Sequence, residues 1–162
     1  MERHAPGMSK RLLAIMALAA VATPAMAKPR WTLSNADNKC VLMKERAGGD
    51  AGFMVRPIAG TGEYELTLLL PKRETREFTV AGSLGNGSPD DYGAYMFHSE
   101  EPGNSPDRQV HTRIARDKLA LVARKELLVI DAPTKLNLRL NVEGINRAFE
   151  ALQSCEGSLA SR

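Results

Sequence analysis

The chain has 162 residues, with 22 Lys and Arg against 19 Asp and Glu and a formal net charge of +3. Setting residues 1–27 aside removes Arg3, Lys10, Arg11 and Glu2 and brings the charge down to about +1, which excludes a basic face for nucleic acid or an anionic membrane. Beyond that point the metal-binding repertoire is Cys40, Cys155, His98 and His111, at spacings unlike those of zinc sites.

Residues 1–27 read as an address. Lys10 and Arg11 form a basic start, Leu12 to Val21 an apolar run, and Pro24 precedes the small-x-small motif Ala25-Met26-Ala27. The pattern predicts a secretory signal peptide cut after Ala27. The run is too short for a bilayer anchor, which needs ~20 residues. No lipobox cysteine stands at the junction, and Met8 is an alternative start. Residues 28–162 then make one exported domain, periplasmic or secreted, long enough for its own core. In such a compartment the two cysteines pair as a structural disulfide, Cys40–Cys155. The chain lacks the Cys-x-x-Cys of a redox pair.

The domain then reads as short strands between turns. Trp31 to Leu33 opens it as an edge strand, and Asn35 to Lys39 is turn-like. Cys40 to Met43 and Phe53 to Val55 are strands, separated by the turn Gly48-Gly49-Asp50, and Pro57 ends the second. After the turn Ala59 to Gly62 comes the clearest alternation, with Tyr64, Leu66, Leu68 and Leu70 facing one way until Pro71 stops it. Lys72 to Glu77 is a charged turn and Phe78 to Ala81 a further strand.

Gly82 to Asp107 differs in texture, being rich in glycine, proline and acidic pairs around an aromatic island of Tyr92, Tyr95, Phe97 and His98. A structureless loop of that length is uncommon, so Ala94 to His98 is expected to be a strand. Two roles compete for the island. As exposed loop groups, Tyr92, Tyr95, Phe97 and His98 would form a binding surface. As members of a strand they would cover the core, and this blander role is favoured.

Gln109 to Ile114 is a strand and Asp117 to Arg124 a helix, with Asp117 as a cap. Leu127 to Ile130 and Leu136 to Val142 form a hairpin about the turn Asp131 to Thr134. In its second arm Leu136, Leu138, Leu140 and Val142 alternate with Asn137, Arg139 and Asn141. At Gly144 the period becomes helical through Ile145, Ala148, Phe149 and Leu152, and the helix is expected to end at Cys155, before Gly157. The fold class is therefore α+β and mainly β: an antiparallel β-sandwich-like domain with a short internal helix and a C-terminal helix.

The helix-to-strand run Asp117–Ile130 and the segment Leu138–Leu152 together resemble the C-terminal half of the invasion-associated protein B family, small exported proteins of alphaproteobacteria. The matching positions are Gly144, Ile145, Ala148 and Leu152, and the Trp31 and Cys40 opening is similar. The resemblance implies a β-sandwich closed by a strand, a glycine and an aliphatic helix. The family commonly has more cysteines, and an aromatic residue where this chain has Ile145. It supplies no catalytic residues to carry over.

The chemical motifs are sparse. Gly82-Ser-Leu-Gly-Asn-Gly87-Ser88 has phosphate-loop glycines without the lysine or the following helix. Asp90, Asp91 and Asp107 offer oxygens for calcium but no EF-hand pattern. Asn86-Gly87-Ser88 is a glycosylation sequon without meaning in a bacterial host. No Gly-x-Ser-x-Gly elbow is present, and Val110 and Thr112 flank His111 so as to turn it to solvent. No cofactor is expected. The leading expectation is a non-enzymatic, envelope-associated module that binds a protein or surface component. The alternatives are a small periplasmic hydrolase using His98 or His111 with a nearby carboxylate, and a purely structural envelope protein.

Overall fold

In a computed structural model the described residues are 30–45, 51–71, 77–87, 93–103 and 105–161. The leader, the Gly48–Asp50 turn, most of the charged turn after Pro71, and Ser88, Asp90, Asp91 and Tyr92 lie outside them.

Nine strands, two α-helices and one 3-10 turn (Ala36–Asn38) make up the described chain: β1 Trp31–Ser34, β2 Val41–Lys44, β3 Gly52–Ile58, β4 Glu63–Pro71, β5 Phe78–Gly85, β6 Gly93–Glu100, β7 Asp107–Ala115, α1 Arg116–Lys125, β8 Leu127–Ala132, β9 Leu136–Asn141 and α2 Ile145–Ala160. The strands form one sheet in the order β1-β2-β3-β4-β7-β6-β5-β8-β9, every neighbouring pair antiparallel. The expected fold class is thus the observed one. No described helix is long and apolar enough to cross a membrane.

β4 shows why the sheet forms. Its alternation buries Tyr64, Leu66 and Leu68. Opposite them in register stand Val55 and Phe53 of β3, and Ile114, Thr112 and Val110 of β7. β6 and β7 pair only through His98–His111, Ser99–Val110 and Glu100–Gln109. The sheet curls there, and the apolar faces of both halves share one core with Leu119 and Val122 of α1 and Ile145, Phe149 and Leu152 of α2.

Several element ends differ from expectation by a residue or more, β9 stopping at Asn141 before Val142 among them, and four differences have a physical reason. β3 continues through Pro57 to Ile58. β2 pairs with β3 only as far as Val55, so Pro57 sits where one side of the strand is an open edge and its missing N–H breaks no ladder. β5 runs on to Gly85, so the glycines of the phosphate-loop spacing begin inside a strand. Asp117 does not cap α1. Ala115 holds the cap position without a side-chain bond, and Asp117 lies in the first turn, where its charge suits the helix dipole. α2 passes through Gly157 to Ala160; Gly157 is an interior residue, with nothing within 4 Å of the place its Cβ would take.

The first strands are tied to the last helix. Cys40 and Cys155, 115 residues apart, are bonded, with Cα atoms 6.0 Å apart. Gly144 begins α2 at φ +81°, a left-handed conformation that glycine adopts without a Cβ clash. The Trp31 ring lies 3.5 Å from the position its Cβ would occupy.

Candidate functional site

Strand alternation divides the aromatic island between two faces. Phe97 is fully buried and Tyr95 packs half-buried against the core, while Met96 and His98 are exposed. Phe97 therefore has no surface to offer a partner. The Tyr95 phenol is pushed up by burial and then by the negative charge of Asp117. Tyr92 lies outside the described residues. The structure assigns Phe97 to the core, while the half-buried Tyr95 both packs against that core and lines the same cavity as His98.

His98 and His111 stand directly opposite each other on the outer face. Thr67 Oγ1 is 2.9 Å from His111 Nδ1, and His111 Nε2 is 2.9 Å from Glu100 Oε1. On the far side Thr79 Oγ1 is 3.1 Å from His98 Nδ1. A hydroxyl, an imidazole and a carboxylate in series resemble a nucleophile relay. The Thr67 hydroxyl, however, belongs to a residue only 3% exposed. The cavity of about 590 Å³ alongside is lined by His98 and His111 and does not reach Thr67. The row acts as cross-strand pairing, and both accessible nitrogens of His111 are engaged by it. Among the described residues no group of three or more His, Cys, Asp or Glu is arranged to hold a metal.

A larger groove, of about 860 Å³, opens where β3 ends against the last turns of α2. Its apolar lining comes from Pro57, Ile58 and Ala59 on one side and Gly157, Leu159 and Ala160 on the other, with Cys40 of the disulfide between them. The size falls within the usual range of small-molecule sites, ~300–1,000 Å³.

Four cations and two carboxylates also line it: Lys39, Arg56, Arg113 and Arg116 against Glu65 and Glu156. Arg56 donates to Glu65 Oε1 at 2.6 Å and Arg116 to Glu156 Oε2 at 3.2 Å. The Tyr64 hydroxyl donates to the same Glu156 oxygen at 2.7 Å, and the Arg116 guanidinium lies over the Tyr64 ring, 5.6 Å from its centroid. Burial pushes the Tyr64 phenol up to about 12, with the hydrogen bond and charge of Glu156 adding to it against Arg116. It is thus a neutral donor at ordinary pH. The side chains of Lys39 and Arg113 have no hydrogen bond or ion pair among the described residues. The groove therefore carries two positive charges in excess beside an apolar wall.

Nothing local in the sequence marks this groove. Lys39 sits in a turn, Arg56 and Arg113 are outward strand positions, and Gly157 follows the end that the sequence pattern predicts for the helix. None stands out locally. The one accessible signal was Pro57 beside Arg56, marking an open strand edge.

Family models, curated proteins and solved structures yield no match to this chain.

Proposed function

We propose that the chain is an exported, non-enzymatic binding module of the envelope or periplasm, with its ligand in the groove between the end of β3 and the last turns of α2. The observation that carries this reading is the groove itself: an apolar wall, two uncommitted cations, and a disulfide that fixes α2 above it. The Cys40–Cys155 bond supports an oxidising compartment, and with it the leader read at residues 1–27. The resemblance to the invasion-associated protein B family belongs to the same reading. In the His98–His111 row the Thr67 hydroxyl is closed to substrate, which argues against a nucleophile relay there.

Native mass spectrometry tests the proposal on the full chain, expressed with its leader and recovered from the periplasm. The wild-type protein should carry a bound species. Gly157→Leu, which fills the space above the helix, should lose that species while keeping or raising the thermal unfolding midpoint. Bare wild-type protein, or a species equally retained by the variant, would refute the groove as the binding site.

A further inference from the structure

We infer that the groove takes a carboxylate carried on an aliphatic chain, a fatty-acid-like ligand whose headgroup meets Lys39 and Arg113 while its chain lies over Gly157. The inference rests on the groove being the ligand site and names what fills it.

Charge is the first argument. Arg56 and Arg116 already have Glu65 and Glu156 as partners, while Lys39 and Arg113 have none among the described residues. An anion entering this groove meets two cations that need not release a protein carboxylate first. The guanidinium fork of Arg113 suits the two oxygens of a carboxylate, and Lys39 adds a point charge.

Space is the second argument. A helix-interior glycine sacrifices stability relative to alanine, and Gly157 has open space where a side chain would stand. That space belongs to the groove. Leu159 and Ala160 from the helix, with Pro57 and Ile58 from the strand, complete an apolar track.

The third argument selects a lipid-like chain over an extended peptide. A peptide would add to the open edge of β3, beyond Val55, where β2 no longer pairs. Pro57 occupies that edge and has no N–H to give an added strand. An aliphatic chain asks for no such donor.

Calorimetric titration of the full mature protein with dodecanoate, dodecan-1-ol, acetate and the peptide Leu-Leu-Leu tests the inference. Dodecanoate should bind at least tenfold more tightly than each of the other three. Lys39→Gln and Arg113→Gln should each weaken it several-fold, and together more than tenfold. Both sites are exposed, so circular dichroism should be unchanged. Gly157→Leu should abolish binding. Equal affinity for the alcohol or the peptide, no loss in the double variant, or no binding of dodecanoate at all would overturn the assignment. If dodecanoate fails while the species seen by mass spectrometry still depends on Gly157, the groove stands and only this ligand class falls. If nothing depends on Gly157, both fall.

Discussion

Trp31 Nε1 donates a 2.7 Å hydrogen bond to the main-chain carbonyl of Glu143, 112 residues along the chain. Its ring also packs edge-on against Phe53, with centroids 5.3 Å apart, and lies beside Gly144. The first strand is thereby held against the junction where β9 gives way to α2. Trp31→Phe should keep much of the packing and lose the bond, costing about 0.5–1.5 kcal/mol by urea unfolding. Gly144→Ala should cost about 1–2 kcal/mol, since a Cβ at φ +81° is strained. Unchanged unfolding midpoints would show that the tie contributes nothing.

The disulfide makes the second tie between the chain's ends. In the chain-entropy picture a bond closing so long a loop stabilises by roughly 4–5 kcal/mol, often less in practice. Replacing both Cys40 and Cys155 with alanine should therefore lower stability by about 2–5 kcal/mol in urea. It should also weaken groove binding, because Cys155 anchors the helix whose last turns form the apolar wall.

Phe97 separates a packing role from a contact role. Its side chain is fully buried, so Phe97→Ala should cost about 3–5 kcal/mol. Met96→Ala, on the exposed face of the same strand, should change stability by less than about 0.5 kcal/mol. Thermal and urea unfolding distinguish the two. Equal effects would mean that β6 does not alternate as described.

Tyr64 should make stability depend on pH at the alkaline end. Its ordinary pKa of 10.0 is raised to about 12 in the folded protein, so above pH 10 the folded state holds a proton that the unfolded state has released. By linkage, stability is then full below pH 10 and declines as pH rises towards 12. Urea midpoints measured across that window should fall, and fall less steeply in Tyr64→Phe. Absorbance titration should show one phenol ionising late in the wild type and missing from that variant. Tyr95, also raised by burial and by the charge of Asp117, adds an effect of the same sign.

Alanine at both His98 and His111 should leave groove binding unchanged. It removes the contacts to Thr67, Thr79 and Glu100, and the loss should be about 1–2 kcal/mol in a urea melt. Loss of ligand binding in this variant would move the functional site to the outer face.

Much of the fold is legible in the chain because strand and helix periods are local. The alternations of Tyr64–Leu70 and Leu136–Val142, and the helical recurrence after Gly144, mark faces that must leave water wherever the segment sits. Two cysteines in a chain with an export-like leader anticipate one bond. Local rules fail where the neighbour decides. Pro57 stays in its strand because β2 has already parted from β3, and Gly157 stays in its helix because the disulfide and the buried Leu152 hold α2 in place. Phe97 and His98 are adjacent in sequence, and the placement of β6 between β5 and β7 sends one into the core and the other to solvent. The groove is the extreme case. Lys39, Arg56, Arg113 and Gly157 come from four separate elements and have no common spacing. Their charges and missing side chain acquire meaning only when the curled sheet brings them around one space, because electrostatic and steric complementarity depend on distance in three dimensions and not along the chain.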